Sequence, residues 1–188
     1  MNKSLFLLII LCLVHINLFS AEYNVDKNRK NSVKFISDAP IEDFEGVTDN
    51  IDGYLIGDPS DFSKDSELYF EVQLNTLETG IGLRDRHMKE NYLHTNKYPL
   101  ASFKGEIIES KKSSNGFDVV VKGEMSIHGK KVKLSVKGDL NNTNNGYEVK
   151  CKFIVPLSDY NIEVPSLMFQ KIDENMKLEL KFYLTKVS

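Results

Sequence analysis

The 188-residue sequence predicts an all-β fold: eight antiparallel strands, packed as a sandwich or closed into a barrel, with one short helical insertion near residues 84–95. Three observations predict it. Apolar and polar residues alternate with period two through most of the chain after residue 30. Turn signals separate the alternating runs: Asn115-Gly116, His128-Gly129 and the polar cluster NNTNNG at 141–146. No charged residue falls on the inward parity of the six clearest runs, 66–74, 101–107, 117–125, 132–140, 147–155 and 176–184.

The first twenty-one residues are predicted to lie outside this fold. Lys3 is a positive flank, Leu5 to Val14 an unbroken apolar run, and Ser20 and Ala21 are small residues at a plausible cleavage point. That is the pattern of a secretory signal peptide, 1–21, leaving one domain over 22–188. A membrane span takes roughly 20 apolar residues, and this run stops short at His15 and Asn17. Leu11 is bulky for the position before a lipidated Cys12. With Lys3 set aside, 23 basic residues face 27 acidic ones, a net of −4, which offers nucleic acid no electrostatic reason to bind. Removing the leader also leaves Cys151 alone, so no internal disulfide is expected. Its strand parity makes it a small buried hydrophobe.

The strands follow in order. SVKFIS at 32–37 is the first, and Phe44 to Gly57 the second, made irregular by Gly46 and Gly53. Leu68, Phe70, Val72 and Leu74 share a face in the third, as do Ala101, Phe103, Gly105 and Ile107 in the fourth. Phe117, Val119, Val121, Gly123 and Met125 do so in the fifth, and Val132, Leu134, Val136, Gly138 and Leu140 in the sixth. Tyr147, Val149 and Phe153 mark the seventh; Met176, Leu178, Leu180, Phe182 and Leu184 mark the eighth. A second, weaker helical break is predicted over 165–172. Gly105, Gly123 and Gly138 on inward positions mean either that strands bend sharply there or that the interior keeps space.

The stretch GLRDRHMKENYLHTNKYP, 82–99, is the densest in potentially reactive side chains. His87 and His94, seven apart, could share a helical face, but His128 is distant in sequence and no third ligand follows, so no metal site is predicted. Asp85 and His87 could orient each other, yet no nucleophile elbow accompanies them. A structural role fits better. Thr79 or Asp85 caps a short helix, Arg84 pairs with a carboxylate, and Met88, Tyr92 and Leu93 turn an apolar edge to the barrel.

Three ordered pieces then carry a family resemblance: SVKFISDAPIEDFEGVTDNIDGYL, LNTLETGIGLRDRHMKENYLHTNKYPLASFKG and VKGEMSIHGKKVKLSVKG. Arg84, Asp85 and His87 stand as in an Arg-Asp-x-His helix, Tyr98, Pro99 and Phe103 as in a Tyr-Pro-x-x-x-Phe strand entry, and Gly123, Ile127, His128 and Gly129 as in a Gly-x-Leu-Thr-Ile-His-Gly hairpin. In these the chain resembles the YceI family of lipocalin-like, polyisoprenoid-binding proteins, over about residues 32–187. Met125 and Ser126 depart from the usual Leu-Thr, Leu100 and Ala101 from a common small-polar pair, and the match loosens after Asn141.

The resemblance implies an eight-stranded antiparallel lipocalin-like β-barrel, periplasmic or secreted, that binds or carries an apolar isoprenoid or lipid-like ligand in its lumen. A polyprenyl lipid or quinone-like molecule is the implied guest, a homodimer a possible assembly, and no further cofactor, catalytic residue or membrane span after cleavage is expected. The expected lumen residues are Phe35, Phe70, Val72, Leu74, Phe103, Ile107, Val119, Val121, Leu134, Val136, Phe153, Leu180 and Phe182, with Arg84, Asp85 and His87 as polar rim residues. Area alone gives such a lumen affinity, at about 0.8 kcal/mol per buried methylene. The alternatives are a ligand-free protein-interaction module and an enzyme using Asp85 and His87.

Overall fold

A computed structural model of the chain describes residues 20–38, 44–163, 166–167, 170–171 and 173–187. The predicted leader, Ser20 and Ala21 excepted, lies outside them, as does Cys12. The strands are β1 (Ala21–Val25), β2 (Ser32–Ser37), β3 (Phe44–Thr48), β4 (Ile51–Gly57), β5 (Glu67–Gln73), β6 (Leu100–Ser113), β7 (Gly116–Ile127), β8 (Lys130–Thr143), β9 (Gly146–Pro156), β10 (Ser166–Leu167), β11 (Gln170–Lys171) and β12 (Asn175–Lys186).

Ten of these make one sheet in the order β1-β4-β5-β6-β7-β8-β9-β12-β2-β3, and β1 pairs back onto β12. That last pairing closes the sheet. β12 is long enough to serve two partners on one edge, with Leu184 opposite Val25 of β1 and Leu180 opposite Val33 of β2. β1 and β2 therefore form one interrupted stave, and β3 and β4, paired to β2 and β1 in turn, form the next. The result is a closed barrel of eight antiparallel staves, each hydrogen-bonded to its chain neighbours. Every stave thereby pairs with a neighbour on both sides over at least part of its length, although β8 and β9 pair only from Gly138 to Thr143.

Two departures from the sequence expectation have physical causes. The first stave starts at Ala21, eleven residues before the predicted Ser32, because Tyr23 and Val25 face inward, 4 % and 7 % exposed. A five-residue strand offers too few alternations to stand out beside a leader. The gap between β1 and β2 is bridged by the buried Asn31, whose amide oxygen accepts the Tyr183 N–H while its NH2 donates to the Asp26 carbonyl. A side chain thus replaces a missing ladder rung and pairs the Tyr183 N–H and the Asp26 carbonyl. The weak helix predicted over 165–172 is also corrected: Ser166–Leu167 and Gln170–Lys171 pair as a small antiparallel ladder.

The insertion predicted near 84–95 forms α1 (Gly82–His87), followed directly by one π turn, Met88–Tyr92. The inward glycines resolve in favour of bending. Gly105 and Gly123 are opposite each other on β6 and β7. A Cβ on Gly123 would lie 2.3 Å from the Lys104 carbonyl oxygen and 2.6 Å from the Phe103 ring. The two backbones approach too closely there for any side chain.

Lysine–carboxylate pairs run over the outer wall. Glu148 is the most enclosed of these, its side chain 16 % exposed. The Lys150 ammonium at 2.6 Å brings its carboxyl down to about 2, against the opposing effect of burial, helped by the Tyr183 hydroxyl at 3.0 Å and Lys181 at 3.2 Å. A depressed carboxyl stabilises the fold above its unfolded pKa and loses that contribution as acid protonates it. Glu148→Gln is therefore expected to lower stability by about 1 kcal/mol at neutral pH, discounted for solvent screening. The gap to the parent should shrink steadily as pH falls from the ordinary carboxylate range toward about 2, measured by urea unfolding at several pH values.

Candidate ligand-binding barrel

The barrel has two unlike ends. At one, the β4–β5 loop folds across the opening. Asp58 accepts the Ser60 N–H and Asp61 the Ser63 N–H, two tight turns that throw Phe62 inward. Phe62 is fully buried, its ring 5.5 Å from both Phe117 and Tyr147 and 6.2 Å from Tyr23, all edge-on. The Tyr23 and Tyr147 hydroxyls bond to each other, and burial pushes both phenols above their ordinary range. Ser66 of the same loop accepts the Ile107 N–H, where a bulge interrupts the β6–β7 ladder. This end is a solid aromatic stopper.

The middle is different. Phe70, Val72, Phe103, Val121, Val149 and Leu180 share the inward parity of the buried core and pack against it, yet remain only half-buried. Phe70 meets Phe182 edge-on at 4.9 Å. Leu134, Phe153 and Leu178 are half-buried likewise, beneath a second cluster of Met125, Ile127, Val155, Tyr160 and Ile162. Side chains aimed at the barrel axis but still reached by solvent border unfilled space. Cys151 sits at this level between Gly138 and Leu180, and a Cβ on Gly138 would lie 3.2 Å from the Cys151 Cβ. Burial, with a contribution from Asp139, pushes its thiol up to about 12, so it behaves as an apolar lining group.

The predicted lumen residues thus separate by depth. Phe70, Val72, Phe103, Val121, Leu134, Phe153 and Leu180 border the middle. Ile107, Val119 and Phe182 belong to the stoppered core, 2 %, 5 % and 2 % exposed. Val136 is buried on β8. Phe35 is half-buried, its ring covering Gly46 and meeting Phe44 edge-on at 5.9 Å. Leu74 has left β5: it opens a 3-10 turn, Leu74–Thr76, and is buried there with its N–H on the Pro99 carbonyl. Val149 and Leu178 lie on the inward parity and belong with the lining. Phe62 carried no periodic signal, because it is presented by a loop.

The second end lies under the insertion, which is tied down on both sides. On one side, Glu78 and Val47 exchange backbone hydrogen bonds. Asp85 accepts from the Thr79 amide and hydroxyl. These bonds keep its carboxyl below the ordinary range although partial burial works against them. Among the described residues Arg84 binds no carboxylate, contrary to expectation. It donates to the Thr79 hydroxyl and carbonyl, both at 2.9 Å, and lies 4.7 Å over the Phe44 ring, because Asp85 is already taken by Thr79. Ile81, with no capping side chain, holds the helix N-cap; the Thr79–Asp85 pair braces the turn before it. His87 is exposed and does not meet Asp85. Of the apolar edge expected from Met88, Tyr92 and Leu93, the last two pack on the upper cluster, and Met88 is half-buried outside it.

On the other side, His94 and His128 meet despite their separation in sequence. His94 Nδ1 lies 2.8 Å from His128 Nε2, and the ring centroids are 5.1 Å apart. That distance is little more than two imidazole radii plus the contact, so the nitrogens face head-on rather than stack. His128 Nδ1 lies 3.1 Å from the Tyr160 carbonyl. A carbonyl only accepts, so His128 Nδ1 donates to it, and in the neutral ring Nε2 accepts from His94. Both histidines stand in left-handed backbone, at φ +46° and +51°, and Tyr98 closes on His128 edge-on at 4.7 Å. One chain of hydrogen bonds thereby joins the insertion, the β7–β8 turn and the turn after β9. His128→Ala is expected to raise amide exchange in residues 88–98 at least tenfold while leaving the strand amides protected, read by hydrogen–deuterium exchange. Among the described residues, no group of three His, Cys, Asp or Glu side chains could hold a metal ion.

Fold and interior together define a lipocalin-type barrel, stoppered at one end, capped by an insertion at the other and lined by apolar side chains between. The chain belongs to the YceI-like domain family, whose family model matches residues 23–184. It is similar to BcnA of Burkholderia cenocepacia, with a TM-score of 0.70 and 15 % identity, covering 87 % of this chain and 99 % of that one. It is similar to a polyisoprenoid binding domain from Saccharophagus degradans implicated in plant cell wall breakdown, with a TM-score of 0.65, 12 % identity and coverage of 90 % and 99 %. It also resembles a mutant YCEI protein of Campylobacter jejuni carrying a monobromobimane guest, with a TM-score of 0.60, 13 % identity and coverage of 76 % and 84 %. At these identities the likeness is one of fold. No curated protein matches the chain.

Proposed function

We propose that this protein binds or carries an apolar, isoprenoid-like lipid in the middle of its barrel, in the periplasm or outside the cell after loss of residues 1–21. The observation that carries this reading is the inward lining of Phe70, Val72, Phe103, Leu134, Phe153 and Leu180, half-buried between two packed ends. A hydrocarbon chain laid there covers exposed apolar surface and needs no polar partner, and no ionised group stands on that lining. The Saccharophagus degradans domain, described as polyisoprenoid binding, supports the ligand class. Thr79 holds Asp85 Oδ1, and His87 is exposed and apart from it, which speaks against the Asp85–His87 enzyme reading. A homodimer is compatible with this function and is read from sedimentation. Native mass spectrometry of the exported protein tests the function: an intact adduct of lipid mass supports it, and protein that stays empty when offered farnesol or a longer prenol refutes it.

A further inference from the structure

We propose that Ile81 and Leu83 form a contact tip that docks the mouth of the barrel on a lipid bilayer, a step that rests on the lipid-carrying reading above. The described chain exposes five large hydrophobic residues: Ile81, Leu83, Ile108, Ile154 and Val187. Ile108 is the extra residue of the β6 bulge, Ile154 stands singly on the β9 wall and Val187 follows the last strand. Ile81 and Leu83, 49 % and 55 % exposed, are the only two of these close in sequence, and they lie on the insertion that caps the second end.

Their setting is that of a projection. A Cβ on Gly80 or Gly82 would find no atom within 4 Å, so the segment stands clear of the barrel. Gly80 adopts φ +81°, the left-handed turn that carries the chain outward. The insertion has other apolar residues, Tyr92 and Leu93, and these face inward onto the upper cluster. The chain therefore buries one apolar pair of this segment and leaves the other in water, held out by the Thr79–Asp85–Arg84 brace behind it.

A bilayer fits the tip better than a protein groove does. The patch is two side chains wide, enough to enter an interface but small for a stable protein contact. Two basic side chains follow it within two turns, the exposed Arg86 and the half-buried Lys89, suited to lipid phosphates. The nearby acids are Glu78, Asp85 and Glu90, of which Asp85 is hydrogen-bonded to Thr79. The opposite end is stoppered by Phe62, so of the two barrel ends the one where the tip stands is the less tightly sealed. No helix among the described residues is long and apolar enough to cross a membrane, and contact with the surface requires none.

The sequence contains no tryptophan, so Leu83→Trp creates a single fluorescent reporter at the tip. With phosphatidylcholine vesicles containing 30 % phosphatidylglycerol, its emission is expected to shift to the blue and to be quenched by bromine-labelled acyl chains. The unlabelled Ile81→Asp/Leu83→Asp double variant should sediment with the same vesicles at least tenfold less than the parent, with an unchanged melting temperature. Binding to pure phosphatidylcholine as well assigns the contact to the apolar tip; binding only with phosphatidylglycerol assigns the larger share to Arg86 and Lys89; both support docking. A reporter that stays solvent-like on saturating vesicles, or equal sedimentation of parent and double variant, overturns it. Farnesol uptake from solution by the double variant separates the two readings: if it persists while vesicle binding is absent in the parent too, the carrier stands and the docking tip falls.

Discussion

Phe62→Ala is expected to destabilise the protein by about 3–5 kcal/mol, a fall of roughly 10 °C or more in melting temperature. Phe62 is fully buried and meets three other rings edge-on, so its removal forfeits transfer free energy and leaves a cavity that Tyr23, Phe117 and Tyr147 cannot close without breaking their own contacts. The Tyr23–Tyr147 hydroxyl pair would also gain access to water, weakening a hydrogen bond now made in apolar surroundings. Phe62→Leu, which refills most of the volume, should recover more than half of the loss. Calorimetry or urea unfolding measures both. A Phe62→Ala protein within 1 kcal/mol of the parent would mean that the loop rests on the barrel end without sealing it.

Leu134→Trp should lower the fraction of lipid-loaded protein, or the affinity for an added prenol, at least tenfold. Leu134 is half-buried on the inward face of β8, opposite Gly123, so an indole there projects into the unfilled middle rather than into packed core. Overpacking of a filled core costs about 1–3 kcal/mol. A side chain entering open space should cost less, so the variant is expected to melt close to the parent while losing its guest. Phe182 is a poorer choice for this purpose: at 2 % exposure it belongs to the stoppered core, and its replacement would confound unfolding with loss of binding. The measurement is native mass spectrometry beside a thermal melt. Undiminished binding in a folded Leu134→Trp protein would place any lipid elsewhere and favour a surface-interaction role.

Strand parity made all eight staves legible, the first only in its β2 half, because a strand with one wet and one dry face writes its orientation into alternate residues. Parity also named most of the lining. It could not rank the lining by depth: Ile107 and Phe70 follow the same rule on neighbouring strands, yet one is buried in the stopper and the other borders open space. Depth depends on what crosses the barrel ends. The element that closes one end, Phe62, comes from a loop with no period to read. The histidine pair was hidden for a related reason. Asp85 and Thr79 lie six residues apart and could be weighed together, whereas His94 and His128 come from different loops and meet only once β6 and β7 are in register.

Local chemistry alone therefore determined the class of fold, the faces of its strands, the position of the helical insertion and the apolar character of the interior. These follow from nearest neighbours in sequence and from the preference of apolar groups to leave water. Barrel closure, the sealing of one end, the glycine pinch between β6 and β7 and the latch across the other end were decided by tertiary structure. Each requires groups remote in the chain to fall within a few ångströms, and a linear alternation of residue types carries no measure of that distance.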